Sequence, residues 1–200
     1  MCFHSQLSQP ISKLEQRFNA QLAKLQNYKA GIYNGFSHPH TPVIIDKAPK
    51  TIQLLQWGLI TFWAKDTSIQ KHTLNARIET LIEKPSFRNV VNNHCLILAN
   101  GFFEWQWLDT KGKQKQKYFI TLPNNEPFAF GGLYSTWVDK STGEMKNTYT
   151  IITQPANELM SKIHNTKKRM PLILNPEDEN NWLQGKKLVK EEIELIATHI

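Results

Sequence analysis

The chain has 200 residues, enough for one globular domain with a sizeable core, and a formal net charge of +7. No segment has the apolar length that a bilayer-spanning helix needs, and the N-terminus lacks a signal-peptide core. Two cysteines do not make a disulfide framework, so we expect a soluble, cytoplasmic, monomeric protein with reduced thiols.

Hydrophobic periodicity and turn residues predict many short strands and few helices. Ser12 with Glu15 forms a capping box before the first helix, and Gly185 ends the helix that starts at Pro176. Helices are predicted at 12–26, 77–83, 155–163, 176–183 and 189–197. Strands are predicted at 43–45, 53–63, 95–99, 102–108, 117–122, 128–137, 147–153 and 170–174. This pattern predicts a single α+β domain over residues 1–200, with a curved, barrel-like, mostly antiparallel sheet and peripheral helices.

The most conspicuous acidic residue, Glu104, follows a buried-strand pattern. The apolar run at 95–99 predicts a strand, Asn100-Gly101 predicts a turn, and the residues that follow alternate. Glu104 then shares one face with Phe102 and is flanked by aromatic side chains. Burial there would raise its pKa and suit it to proton transfer near neutral pH. An edge-strand glutamate that faces water is an equally good interpretation.

Cys2 has an unusual chemical option. If Met1 is removed, Cys2 carries an α-amine with a pKa of about 7.7–8.0 and a thiol with a pKa of about 8.5 on adjacent carbons. Such an aminothiol condenses with an aldehyde through the amine, and the thiol then closes a five-membered ring. The alternative is an incidental cysteine in a disordered terminus.

Two basic clusters favour an acidic partner such as nucleic acid. Lysines 111, 113, 115 and 117 crowd one turn, and the run 167–169 follows His164. Tryptophans and phenylalanines beside such charge are typical of single-strand binders. Most of those aromatic residues must also build the core, and many soluble domains are modestly basic.

No motif predicts a metal or a cofactor. His38 and His40 flank Pro39 in a loop, and the chain has no C-x-x-C, H-E-x-x-H, P-loop or G-x-G-x-x-G sequence.

Five blocks of sequence occur in one order across nearly the whole chain: Met1-Cys2, 57–65, 75–80, 94–105, and 163–165 with 169–171. This series resembles the SOS response-associated peptidase (SRAP) family, also called abasic-site processing proteins. The resemblance implies the SRAP fold and a Cys2 exposed by removal of Met1. It also implies covalent capture, as a thiazolidine, of the ring-opened aldehyde of an abasic site in single-stranded DNA.

The resemblance also implies roles for individual residues. Cys2 matches the nucleophile, Asn75 the residue that orients it and the sugar, and Glu104 and His164 the acid–base pair. The implied DNA-binding residues are Arg77 at a phosphate, Phe62 and Trp63 as an apolar wedge, and Arg88, Asn34 and Lys168.

The sequence departs from the family pattern at several positions, including both ends of the chain. Phe3 and His4 stand where many members have Gly-Arg, and the chain stops at Ile200, where relatives often continue into a further strand. The expected domain therefore lacks a C-terminal strand or closes its sheet differently.

Other interpretations of these residues remain open. Asn75 could cap a helix, His164 could be a favourable charge at a helix end, and Arg77 could pair with Glu79 or Glu104. Two other functions also fit the pattern. One is a cysteine autopeptidase or hydrolase that uses Cys2, and the other is a non-catalytic single-strand binding module.

Overall fold

The computed structural model describes residues 2–24, 27–189 and 193–200. Its helices are α1 (Ile11–Phe18), α2 (Glu158–Ile163) and α3 (Pro176–Leu183). Its strands are β1 (His4–Leu7), β2 (Gln21–Leu22), β3 (Gly31–Asn34), β4 (His40–Ile45), β5 (Thr51–Trp57), β6 (Asn75–Arg77), β7 (His94–Ala99), β8 (Gly101–Trp107), β9 (Lys115–Thr121), β10 (Phe128–Val138), β11 (Met145–Pro155), β12 (Arg169–Pro171), β13 (Ile173–Leu174) and β14 (Ile196–His199). None of the helices in these ranges is long and apolar enough to span a membrane.

Five of the strands close into a barrel. They are β4, β5, β7, β10 and β11, and the closing pair is the parallel contact of β11 with β5. Strand β7 is apolar on both faces, because Cys95 and Ile97 pack in one hydrophobic cluster while Leu96 and Leu98 pack in another. Burial on both sides explains why 95–99 is a continuous apolar run rather than an alternating one.

A second, smaller sheet packs against the barrel. Its order is β14-β9-β8-β1-β3, and all its pairings are antiparallel. Phe102 of β8 meets Phe130 of β10 edge-to-face, with ring centroids 5.8 Å apart. The inner face of this sheet therefore shares a core with the barrel, and residues of both sheets can meet there.

The predicted class is confirmed: the chain forms a β-rich α+β barrel with peripheral helices. The helices expected at 155–163 and 176–183 form as α2 and α3, and the hairpin of β8 and β9 also forms. In α2, the side chain of Asn157 accepts a hydrogen bond from the Met160 N–H at 2.9 Å, which caps the helix.

The first helix is shorter than predicted. It ends at Phe18 because Asn19 adopts a left-handed conformation, with φ of 47°. The predicted capping box is wrong, because Glu15 instead accepts the Leu22 N–H at 2.9 Å and fixes the turn into β2. Residues 25 and 26 of the predicted helix lie outside the described residues.

Two other predictions near the site are wrong. Asn100-Gly101 does not close a hairpin, since β7 belongs to the barrel and β8 to the small sheet. Asn100 lies where the chain passes from the barrel to the small sheet, and its side-chain oxygen accepts a hydrogen bond from the Ser8 N–H at 2.7 Å. The helix expected at 77–83 is the end of strand β6 followed by a single 3-10 turn at Ile78–Thr80.

The remaining differences are at strand ends. The strand predicted over 53–63 stops at Trp57, because Gly58 has a φ of 107°, which lies outside the extended range. A Cβ added at Gly58 would lie 2.8 Å from His38 Nδ1, so this position requires glycine. The strand predicted at 170–174 is divided into β12 and β13. In place of the last predicted helix, residues 196–199 form β14, and residues 190–192 lie outside the described residues.

Candidate active site

Cys2 lies in the core shared by the two sheets, not in a disordered end. Its side chain has 0% exposure, and its thiol donates to the His4 carbonyl oxygen at 3.6 Å. Burial raises the pKa of the Cys2 thiol well above its usual range, and the nearby Glu104 carboxyl raises it further. The thiol is therefore protonated at neutral pH.

Glu104 points inward from β8. It has 4% exposure, and the strand pairing places it opposite Tyr118 of β9. Burial raises the pKa of the Glu104 carboxyl. The interpretation of Glu104 as a water-facing edge residue is therefore wrong, and the carboxyl can hold a proton at a higher pH than a solvated glutamate can.

Asn75 connects the barrel to Cys2. It begins β6, which runs parallel to β11, and its side-chain amide donates to the Cys2 carbonyl oxygen at 2.9 Å. It therefore does not cap a helix. Within the described part of the chain, the buried Oδ1 of Asn75 has no hydrogen-bond partner. An amide held by its nitrogen leaves this oxygen free to accept a hydrogen bond from a ligand.

His164 follows α2, and its ring is held by the backbone of the next strand. The Arg169 N–H donates to His164 Nδ1 at 3.0 Å, and a backbone N–H can only donate. The neutral ring therefore carries its proton on Nε2. Burial lowers the pKa of His164 from 6.5 to about 4. At neutral pH the ring is uncharged, so the alternative role as a positive charge at a helix end is wrong.

Arg169 and Glu79 tie the segments of His164 and Asn75 together. The buried guanidinium of Arg169 donates to the two Glu79 carboxylate oxygens at 2.5 and 3.0 Å and to the Thr153 carbonyl oxygen at 2.7 Å. The bidentate pair lowers the pKa of Glu79. Glu79 thus forms its ion pair with Arg169, and the charge of Arg77 also contributes to lowering the pKa of Glu79. The sequence pattern assigns Arg169 no role, because it follows Lys167 and Lys168 and looks like the third member of a surface basic cluster.

His164 also lies next to the strand that carries Glu104. The Gln106 side chain donates to the Lys162 carbonyl oxygen at 3.0 Å. Asn165 exchanges two hydrogen bonds with the Trp107 backbone, at 3.2 and 2.8 Å. The structure thus brings together segments of the chain that contain Cys2, Asn75, Glu104 and His164.

The expected wedge residues are exposed. Phe62 and Trp63 are 61% and 47% exposed on a tight turn after β5. The turn is held because the Ala64 N–H donates to the Thr61 carbonyl oxygen at 3.0 Å and the Trp137 indole donates to the Ala64 carbonyl oxygen at 2.9 Å. Large exposed aromatic side chains on a turn held by hydrogen bonds can contact a ligand without a rearrangement of the backbone.

The other expected DNA-binding residues lie on the surface. Arg77 is exposed at the end of β6, and Arg88 is exposed in the turn that follows Lys84. Lys168 is also exposed and has φ of 48°. Asn34 is exposed, but its Oδ1 already accepts the Phe36 N–H at 3.0 Å, so its amide nitrogen is the group available to a ligand.

Residues 2–24, 27–189 and 193–200 contain no group of three or more His, Cys, Asp or Glu side chains arranged to hold a metal ion. The described chemistry of the site therefore consists of a protonated thiol, a carboxyl with a raised pKa, an amide and a neutral imidazole.

These features define a candidate thiol-dependent site. Its cysteine lies near the N-terminus and is buried between the barrel and the small sheet, beside a carboxyl that can hold a proton. The family model for the SOS response associated peptidase (SRAP) matches residues 1–199, so the chain belongs to this family.

Named relatives occur in bacteria and in eukaryotes. The abasic site processing protein YoqW of Bacillus subtilis is 46% identical over 145 residues, which cover 72% of this chain and 62% of YoqW. The abasic site processing protein HMCES of Gallus gallus is 31% identical, with 74% of this chain and 49% of HMCES covered. The chain thus spans less than two thirds of the length of these relatives.

A solved structure has the same fold. A crystal structure of a protein from Bacteroides thetaiotaomicron superposes with a TM-score of 0.86 at 34% identity, covering 100% of this chain and 92% of that chain.

Proposed function

We propose that this protein processes abasic sites in single-stranded DNA by forming a covalent thiazolidine link through Cys2. The observation that carries the proposal is the buried Cys2, held by Asn75 at 2.9 Å beside a carboxyl whose pKa is raised. Membership of a family whose relatives are named abasic site processing proteins supports the same conclusion. We place the protein in the cytoplasm as a monomer, where both thiols stay reduced.

The chemistry requires removal of Met1, because the Cys2 nitrogen is otherwise part of a peptide bond. The free amine then attacks the aldehyde carbon of the open sugar, and the carbonyl oxygen becomes a hydroxyl. Loss of that hydroxyl as water leaves a carbon–nitrogen double bond. The thiol adds across it, with sulfur bonding to carbon and the proton going to nitrogen, so that one water is released overall.

Glu104 is the residue that supplies the proton for loss of water. A carboxyl is an effective general acid when its pKa approaches the working pH, and burial moves Glu104 in that direction. After the water leaves, the carboxylate faces a positively charged imine, which it stabilises.

Asn75 and His164 act as neutral hydrogen-bonding groups. The unpartnered Oδ1 of Asn75 can accept a hydroxyl hydrogen of the sugar, while its amide nitrogen holds Cys2. His164 offers an Nε2–H donor to a sugar or phosphate oxygen, because its lowered pKa keeps the ring neutral at neutral pH and the Arg169 N–H fixes the tautomer. In this proposal Glu104 moves protons and His164 orients the substrate.

In this proposal, exposed side chains hold the DNA strand. Phe62 and Trp63 stack on or separate bases next to the lesion, and the cations of Arg77, Arg88 and Lys168 contact phosphates. Asn34 adds a donor through its amide nitrogen. Affinity should therefore fall as salt concentration rises.

The first test is the intact mass of the protein before and after incubation with single-stranded DNA that carries one abasic site. We expect a protein without Met1 that gains the mass of the oligonucleotide, while Cys2→Ala and an oligonucleotide without the lesion give no adduct. A correctly processed protein that stays unmodified would refute the proposal.

Peptide hydrolysis through Cys2 is a weaker candidate. In a cysteine peptidase the thiolate makes the first attack, but burial raises the pKa of the Cys2 thiol, which donates to a carbonyl oxygen. In the thiazolidine route the α-amine makes the first attack, and the thiol adds only after the imine has formed. The two functions are separated by a large residue inserted between Met1 and Cys2, which retains Met1. That variant should lose adduct formation and keep DNA binding. Turnover of a peptide by wild type without DNA would favour the hydrolase.

A further inference from the structure

The outer face of the small sheet carries lysines fixed over aromatic rings. The strand pairing sets Trp105 opposite Lys117 and Trp107 opposite Lys115, on the face away from Glu104. The Lys117 ammonium lies 4.5 Å from the Phe103 ring centroid and 5.8 Å from that of Trp105. The Lys115 ammonium lies 5.1 Å from the Trp107 centroid. We call this surface, with Lys111 and Lys113 of the adjoining turn, the lysine face.

The ammonium groups of Lys115 and Lys117 are held over aromatic rings, and none of the ion pairs among the described residues neutralises them. Cation–π contact restricts each flexible side chain, so less conformational entropy remains to be lost when an anion binds. The ion pairs of the described residues involve none of the four lysines. Asp109, the carboxylate of the adjoining turn, accepts the backbone N–H groups of Lys111 and Gln114 at 2.7 and 2.6 Å. The carboxylate oxygens of Asp109 therefore accept hydrogen bonds from the backbone of the turn and form no ion pair with these ammonium groups among the described residues.

The lysine face is continuous with the candidate active site. Asn165 binds the Trp107 backbone through two hydrogen bonds, at 3.2 and 2.8 Å, next to the turn that carries Lys111. The same segment continues to Lys167 and Lys168, which are exposed. Two basic clusters that are about fifty residues apart in the sequence therefore approach each other at the C-terminal end of β8, beside the segment of His164.

We propose that the lysine face is a second DNA-backbone site, which holds single-stranded DNA flanking the lesion after it passes Lys167 and Lys168. This inference rests on the proposed function of the active site. Several unpaired cations on one face can contact successive phosphates of a single strand. The rings of this face position the lysines, and Gly112 packs against the Trp107 ring, so phosphate contact rather than base stacking supplies the binding.

The test is a double variant, Lys115→Met with Lys117→Met, which removes charge but keeps an unbranched stem over the rings. The matched control is Lys186→Met with Lys187→Met, which removes the same charge from exposed positions after α3. The probes are oligonucleotides with one abasic site and flanks of increasing length on one side or the other. Binding is measured by fluorescence anisotropy over a range of salt, and adduct formation by intact mass.

We expect wild type and the control to bind more tightly as one flank is lengthened, and the double variant to lose this gain. On long oligonucleotides the negative slope of log K against log salt should be shallower for the double variant than for wild type by roughly 1.4, since each of the two lost phosphate contacts on a single strand contributes about 0.7. Adduct formation on the shortest oligonucleotide should be unchanged.

Several outcomes would overturn the inference. Equal affinity and salt slope for the double variant and the control on long oligonucleotides would do so. Binding to anionic phosphatidylserine vesicles that depends on these lysines, without a DNA effect, would assign the face to lipid. If the double variant unfolds, Lys111→Met with Lys113→Met serves instead, because these exposed lysines make no described ring contact. Absence of adduct on every oligonucleotide would refute the proposed function, while the flank-dependent affinity would still test the lysine face.

Discussion

The surroundings of the two cysteines differ, although the cysteines share one hydrophobic cluster. Cys2 and Cys95 both have 0% exposure, and burial raises the pKa of both thiols. Cys95 lies in barrel strand β7, where its carbonyl oxygen accepts the Trp182 indole N–H at 3.0 Å. Cys2 precedes β1 and is held by Asn75 beside Glu104.

Burial and a raised thiol pKa therefore do not identify a reactive cysteine. Two other features distinguish Cys2. It can present a free α-amine once Met1 is removed, whereas the Cys95 nitrogen is fixed within the barrel strand. Its neighbours also include a titratable carboxyl with a raised pKa and an amide with a free oxygen.

The largest expected effect comes from exchanging the two cysteines separately for alanine. Cys2→Ala should abolish adduct formation, because both the ring-closing sulfur and the reactive pair are lost. Cys95→Ala should retain it. Each removes a buried sulfur and should lower the free energy of unfolding by a similar amount, about 1 kcal/mol. Intact mass and thermal denaturation measure the two effects. Adduct formation by Cys2→Ala, or loss of adduct formation in Cys95→Ala, would contradict the assignment of the reaction to Cys2.

Glu104→Gln should slow adduct formation by roughly 10²–10⁴-fold, the usual contribution of a general acid.

The same variant should be more stable than wild type at neutral pH. Because burial raises the folded-state pKa of Glu104, its ionisation lowers stability as pH rises through that value. The stability difference should vanish below the unfolded-state pKa of 4.5. Rates at several pH values and denaturant melts test both parts; a less stable variant at pH 8 would contradict the account.

Glu79→Gln tests whether the Arg169 pair positions the site. The variant leaves a buried guanidinium without its carboxylate, which should cost about 2–3 kcal/mol of unfolding free energy. This lies below the cost for a fully buried pair, since the Glu79 side chain is 42% exposed. Urea denaturation measures the loss, with the i,i+4 surface pair variant Glu158→Gln as control, for which we expect under about 1 kcal/mol. Equal losses of stability in the two variants, or an unchanged rate of adduct formation in Glu79→Gln, would contradict the positioning role.

The smallest effect concerns the acid range. The folded-state pKa of His164 is lowered to about 4 from 6.5, so its contribution to stability is present above pH 6.5 and is lost as pH falls to about 4. His164→Gln should therefore flatten the pH dependence of the melting temperature in this window relative to wild type. The ¹⁵N chemical shifts of the ring at pH 7 should report a neutral Nε2–H tautomer. A protonated ring at that pH would contradict the hydrogen bond from Arg169.

Local sequence determined much of the fold. Apolar runs on buried strands, Pro176 at the first position of α3 and the turn around Asp109 depend on neighbouring residues, so their pattern could be predicted. The resemblance of five sequence blocks to a known family also predicted which residues belong to the candidate site.

The tertiary structure alone decided how these residues are used. The sequence left Glu104 with two interpretations, and packing of the small sheet on the barrel decided for burial. Asn75, His164 and the Arg169–Glu79 pair depend on hydrogen bonds between residues about 70 or more positions apart, or on the direction of one backbone N–H. Neither local propensity nor residue spacing specifies such contacts, because they arise only when separate strands pair and exclude water.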